Sequence, residues 1–237
     1  MKTEEIEEYK AYLSSRHSAE KKNYYQFSLK ELEDIRQSGT KPKLLLHACC
    51  GPCAGWPLEF LHNAFAITIL YNNSNIYPEK EYTRRKDELL KLLHLLGYDD
   101  VNVIIPPYDN AAYTRDVLSD RGDDPEGWKR CFHCYEVRME EGFAYAEKNG
   151  FDWFTTVMTI SRQKDSQMLN AIGAKLAEKH PSVHYFYSDF KKAGGQNRRD
   201  EIVREYDLYH QDYCGCVYSY TERQKQLNEK AAEHQDH

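Results

Sequence analysis

The chain has 237 residues, 41% of them hydrophobic, which fits one large domain with appendages and a substantial core. Its net charge of −6 argues against a general nucleic-acid coat, which needs an excess of Lys and Arg, and no apolar run reaches the length of a membrane span. The start, Met1 to Lys10, is acidic rather than basic then apolar, so no leader or anchor is expected and the reading is a cytoplasmic protein with no membrane partner.

Residues 1–40 are polar and helix-compatible, with Ser28 and Glu31 at the spacing of a capping box for a helix near 29–37; they read as an amino-terminal helical extension. A first strand at about 43–48 ends in His47-Ala48-Cys49-Cys50-Gly51-Pro52-Cys53, where Gly and Pro break the strand into a tight loop. Pro52 to Ala64 suits a helix that tolerates Pro52 only in its first turn. A second strand (66–71) runs into the polar loop Asn72 to Pro78, and a helix with Leu89, Leu93 and Leu96 follows, closed by Gly97. Val101 to Ile105 forms a third strand, and Tyr108 to Lys129 reads as an irregular excursion. Cys131 and Cys134 open a helix whose Met139, Phe143 and Ala146 share a face, and strands are expected at 153–160 and 183–187 around a helix carrying Leu169, Ile172 and Leu176. A basic helix near 198–207 precedes Cys214-Gly215-Cys216, and a charged helix spans 221–237. Strands alternating with helices of this length predict an α/β catalytic domain over 41–220, a parallel sheet with helices on both faces.

All seven cysteines fall in three groups: Cys49, Cys50 and Cys53; Cys131 and Cys134; Cys214 and Cys216. In a reducing compartment grouped cysteines read as metal ligands or catalytic thiols. The expectation is that the three groups meet in space around an iron-sulfur centre with a redox thiol pair beside it. A [4Fe-4S] cluster takes four thiolates; Cys131 with Cys134 is one pair, and the second is either Cys49 with Cys50 or Cys50 with Cys53. A zinc-stabilised RNA-binding module ranks third; a local zinc ribbon is not expected, because its two C-x-x-C knuckles stand about 15–20 residues apart, whereas here two strands and two helices intervene. The runner-up is a thioredoxin-like thiol-disulfide oxidoreductase using Cys50 and Cys53, whose Cys-Gly-Pro-Cys lies between a strand and a helix as in that family. Cys214 and Cys216 span at most about 7 Å between Cα atoms, so they read either as a strained, easily reduced disulfide or as further metal ligands.

Together these segments, with Asn75-Ile76-Tyr77-Pro78, Arg84-Arg85, Arg130 to Tyr135 with Arg138, Thr155 to Ser166, and Tyr213 to Cys216, resemble the cobalamin-independent epoxyqueuosine reductases, the QueH family. The likeness runs from about residue 43 to 220. It implies a Rossmann-like fold related to adenine-nucleotide α-hydrolases, with Cys49 to Cys53 in place of the phosphate loop. It implies reduction of epoxyqueuosine to queuosine at the tRNA wobble position, fed by an unidentified electron donor and using no cobalamin. By the same likeness Cys49, Cys50, Cys131 and Cys134 bind a [4Fe-4S] cluster, Cys214 and Cys216 form a redox-active pair, and Cys53 is the candidate ligand of a mononuclear iron. Loop position and charge nominate Asn73, Tyr77 and Arg162 for the wobble nucleoside and Arg84, Arg85, Arg198 and Arg199 for flanking phosphates. His133, His47 and Tyr135 are candidate proton donors.

Overall fold

A computed structural model describes residues 3–18 and 20–233. Its central strand is β1 (Lys43–His47), in which Leu44, Leu45 and Leu46 are each fully buried. Strand side chains alternate between faces. Leu44 and Leu46 accordingly enter one core and Leu45 the other. A strand covered on both sides needs a continuous apolar run, which is what this segment supplies. β2 (Ala66–Leu70) and β3 (Asn102–Ile104) lie to one side of β1, β4 (Trp153–Thr156) and β5 (His184–Tyr185) to the other. The order is β3-β2-β1-β4-β5, all parallel, with Leu45 opposite Thr68 of β2 and Phe154 of β4. The chain therefore reverses its direction of travel across the sheet beside β1, and the carboxyl ends of β1 and β4 flank the crevice where such sheets bind ligands.

In chain order the helices are α1 (Thr3–Ser18), α2 (Tyr24–Ser38), α3 (Gly51–Leu61), α4 (Glu79–Leu95), the single turn α5 (Asn110–Tyr113), α6 (Lys129–Lys148), α7 (Ser166–Lys179), α8 (Gly195–Glu205) and α9 (Val217–Glu233). α2, α3, α4 and α8 pack on the Leu44/Leu46 face through Leu32, Leu58, Leu89 and Ile202. α6 and α7 cover the other face through Met139, Phe143, Leu169 and Leu176. Gly142 lets α6 approach the sheet closely, since a Cβ there would stand 2.3 Å from the Phe154 ring. Within the amino-terminal extension, Leu32 and Ile35 share the core of the α/β body, and Tyr9 and Tyr12 of α1 pack on Trp128 just before α6.

Several boundaries differ from the sequence expectation, each for a local reason. α2 begins at Tyr24 because Asn23 caps it by accepting the Gln26 N–H; Ser28 is inside the helix, its hydroxyl turned back to the Tyr25 carbonyl. β4 stops at Thr156, whose hydroxyl accepts the Met158 N–H and starts a 3-10 turn over Val157–Ile160. The 108–129 excursion contains a short helical run, Asn110 to Arg121, capped by the Asp109 carboxylate on the Ala112 N–H. Residues 234–237 of the expected last helix lie outside the described residues.

Candidate metal and thiol centre

β1 ends at the crevice and hands the chain to Ala48, Cys49 and Cys50, after which α3 starts at once. Cys50 is the extended residue before the helix, and Pro52 occupies the first turn, where its missing N–H costs nothing. Gly51 is required by packing, because a Cβ there would stand 2.6 Å from the Glu88 carbonyl oxygen on α4. Turning from strand to helix within two residues lets adjacent cysteines face the same way. The Sγ atoms of Cys49, Cys50 and Cys53 all lie within 4.8 Å of one another, and no other set of three ligating side chains is so close among the described residues. Both alternatives for the second ligand pair are thus present at once in a single trio.

The three thiols are not equivalent. Hydrogen bonds from Cys50 and Cys53 hold the Cys49 thiol well below its usual range, against the opposing effect of burial. Burial raises Cys50 well above that range, and its bond to Cys49 leads the causes that push Cys53 up to about 12. Three converging sulfurs, one already inclined to be a thiolate, are a donor set for a soft or borderline metal.

Cys131 and Cys134 lie in the first turns of α6 and are not part of that trio. Cys131 Sγ accepts the Gly127 N–H at 3.2 Å, and Cys134 Sγ accepts the Tyr113 hydroxyl at 3.3 Å. Cys134 packs with Cys216, Tyr113 and Leu118 in a small cluster of their own. Burial raises both α6 thiols, Cys131 to about 12, and raises Cys214 to about 11. All seven cysteines are free thiols, Cys214 and Cys216 included.

Two cations join the thiol groups. Arg138, one turn beyond Cys134 on α6, is 2% exposed and has no carboxylate partner among the described residues. Its Nη2 donates to His47 Nε2 and to Asn73 Oδ1 and its Nη1 lies 3.6 Å from Met158 Sδ; against burial, the guanidinium is favoured by the ionisable groups it faces, Cys134, Cys49, Tyr113 and Cys214. Lys164 is similarly faced by Cys214, Cys49 and Cys53, whose sulfurs raise its ammonium against burial. A buried guanidinium with no carboxylate is expensive unless an anion is supplied, and metal-bound thiolates drawn from both groups would supply one. That residual charge is the feature that fits an anionic metal-thiolate centre.

The loop bearing Cys214 and Cys216 is fastened over the site. Arg85, buried against Glu81 at 2.7 Å, donates to the carbonyls of Cys214 (2.9 Å) and Tyr213 (3.2 Å). Gly215, at φ +136°, leaves room for that guanidinium and accepts the Tyr77 N–H at 2.7 Å. From the same loop Gln211 Nε2 points at Cys50 Sγ (3.1 Å) and Cys53 Sγ (3.7 Å).

The family model described as epoxyqueuosine reductase QueH matches residues 44–222. The chain is 39% identical over 188 residues to the epoxyqueuosine reductase QueH of Histophilus somni, covering 77% of this chain and 74% of that protein. It is 34% identical over 204 residues to the protein of that name from Staphylococcus aureus, covering 84% and 85%, and 29% identical over 187 residues to the one from Thermotoga maritima, covering 77% and 92%. The chain belongs to the QueH family.

In this QueH chain the residues nominated for nucleoside and phosphate fall into two sets. Arg84 and Arg162 are exposed, Arg84 lying over the Tyr209 ring and Arg162 paired with Asp200, and Tyr77 is 37% exposed at the edge of the Cys214 loop. Asn73 and Arg85 are each 1% exposed, so they act on the site from inside: Asn73 donates to the Ala48 carbonyl beside Cys49, and Arg85 holds the Cys214 loop. Arg198 is engaged by Glu59, Glu201 and Glu205, and Arg199 by Asp200 and His210. His47 is fully buried and neutral, its Nε2 accepting from Arg138 and its Nδ1–H meeting Thr156 Oγ1 at 2.7 Å. Its proton is therefore committed to the fold. His133 is exposed and Tyr135 buried. Gln211 and Tyr113 were not among the expected site residues; nothing in their sequence context distinguishes them, whereas Arg138 is signalled by its place four residues beyond Cys134 on a buried helical face.

Proposed function

We propose that this QueH chain reduces epoxyqueuosine to queuosine at the wobble position of tRNA, the last step of queuosine synthesis, at a metal centre held by its clustered thiols. The observation that carries the reading is the Cys49-Cys50-Cys53 trio at the carboxyl end of the central strand, in a chain that matches the epoxyqueuosine reductases over 44–222. Cys49, Cys50, Cys131 and Cys134 would hold a [4Fe-4S] cluster, and Cys53 a mononuclear iron beside it. The support is that the Arg138 guanidinium is set among thiols of both groups and has no carboxylate partner among the described residues. When bound, such a cluster supplies electrons singly and such an iron a Lewis acid.

Opening an epoxide to the alkene breaks two C–O bonds and releases the oxygen as water, which consumes two electrons and two protons. Cys214 and Cys216 can supply both as a dithiol that closes to a disulfide, and an external donor then returns them to thiols. Gly215 between them and the Arg85 clamp on the Cys214 carbonyl hold the backbone of that pair in place. The Lys164 ammonium is favoured, against burial, by the sulfurs of Cys214, Cys49 and Cys53, and reciprocally favours negative charge on them. Arg84 is the exposed arginine for a flanking phosphate, and Tyr77 offers a ring for an unstacked base that Arg162, exposed but paired with Asp200, would face. The burial of Cys50 and Cys53, 1% and 7% exposed, counts against the thioredoxin-like alternative, whose attacking thiol has to reach a partner disulfide.

The test is turnover. Protein reconstituted anaerobically with iron and sulfide, given epoxyqueuosine-containing tRNA, a chemical reductant and no cobalamin, should yield queuosine in the digested nucleosides. Iron-loaded protein that leaves the epoxide intact under these conditions would overturn the proposal.

A further inference from the structure

We infer that Gln211 is a positioning residue of the metal centre: its amide N–H holds the Cys50 and Cys53 sulfurs and raises the reduction potential of the metal they bind. The inference rests on the metal-centre reading of the previous section. Three observations carry it. The amide nitrogen is 3.1 Å from Cys50 Sγ and 3.7 Å from Cys53 Sγ, so one side chain touches a proposed cluster ligand and the proposed ligand of the second iron. The amide oxygen is buried and has no hydrogen-bond partner, so the side chain is not placed there to satisfy its own carbonyl. The segment carrying it is pinned on both sides, by the Tyr209 hydroxyl on the Glu81 carboxylate at 3.1 Å and by Arg85 on the carbonyls of Tyr213 and Cys214.

The orientation of the amide follows from its surroundings. When they bind a metal, Cys50 and Cys53 are thiolates that accept hydrogen bonds and donate none, so the NH2 group faces the sulfurs, as it does here; the reversed amide would set oxygen lone pairs against two electron-rich atoms. An N–H directed at a ligating thiolate draws electron density from sulfur and stabilises the more negative, reduced form of the metal. Gln211 also precedes Cys214 by three residues on the same fastened loop, so the group that adjusts the metal and the thiol that exchanges electrons with it move together.

The experiment compares wild type with Gln211→Leu and Gln211→Glu, each reconstituted anaerobically, with iron and sulfide counted and the midpoint potential read by a redox titration followed in the visible spectrum. Leu removes the N–H at similar size, and Glu replaces it with a carboxylate oxygen. The expected result is a more negative midpoint in both variants, larger in Gln211→Glu, or loss of iron from variants whose melting temperature is unchanged although every cysteine is intact. Full iron content with the wild-type midpoint in both would overturn the inference while leaving the metal-centre reading in place. A wild type that takes up no iron would instead overturn that reading.

Discussion

Gly51 and Gly215 mark two places beside the thiols where a side chain is not tolerated, the first by collision and the second by backbone conformation. At Gly51 the obstacle is the rigid Glu88 carbonyl, so Gly51→Ala should shift α3 and with it Cys50 and Cys53, costing about 1–3 kcal/mol of stability. A denaturant melt checks the cost, and iron uptake checks the displacement. Gly215 is held at φ +136°, a conformation costly for any residue with a Cβ, and its neighbour is the Arg85 guanidinium. Gly215→Ala should therefore dislodge the Cys214-Cys216 pair and reduce turnover sharply while leaving the iron content unchanged. Equal turnover of Gly215→Ala and wild type would show that the loop geometry is not used. At this scale the sequence was informative about cysteines and glycines, whose chemistry announces itself, and silent about Gln211 and Lys164, whose residue types are usually solvated and acquire a role only through what folds against them.

Among the elements, the contact between α6 and the sheet decides where Cys131 and Cys134 stand. Gly142→Ala would drive a methyl group against the Phe154 ring, and a loss of about 1–3 kcal/mol is expected in a urea melt. The far end of that helix is tied to the cap of α7 by His180, which bonds Glu147 at 2.8 Å and Glu140 at 3.2 Å. Burial opposes the charged imidazole, but these two carboxylates more than offset it and its pKa is raised. A raised folded-state pKa contributes stability that is fully present below the unfolded value of about 6.5 and is lost as pH rises through the folded value. His180→Gln should accordingly destabilise the protein more at pH 5.5 than at pH 8.5, and a denaturant midpoint difference that does not change with pH would contradict this. The elements themselves were legible wherever apolar periodicity was long, as in β1, α4, α6 and α7. They were misplaced where a single side chain decides a boundary: Asn23 caps α2 ahead of the expected Ser28, and Thr156 ends β4 by starting a 3-10 turn.

For the molecule as a whole, a net charge of −6 has to be reconciled with a polyanionic substrate. The answer offered by the surface is local. Of the four arginines nominated for phosphates, Arg84 is exposed, Arg85 is buried, and Arg198 and Arg199 are held by neighbouring groups, while Arg162 remains exposed near α8. Arg84→Ala should weaken tRNA binding and lower the salt slope by about 1, whereas Arg198→Ala should leave that slope near wild type. Counting basic pairs in the sequence could not separate these cases, because carboxylates from distant segments, Glu59 above all, consume the charge. The grouping of the thiols was legible at this scale because the family pattern and the strand-loop-helix order both point to one edge of the sheet; their division into a trio and a second group joined by Arg138 was not, since it depends on which sulfurs α3 and α6 turn toward the crevice.

The claim on which the account turns is that thiols from separate segments share one iron centre. The direct measurement is the iron and acid-labile sulfide content of anaerobically reconstituted wild type beside Cys49→Ser and Cys131→Ser. About four acid-labile sulfides and four to five irons are expected in wild type, with a marked loss in each variant, one from the trio and one from α6. A Cys131→Ser protein that keeps the full wild-type iron and sulfide would contradict the account.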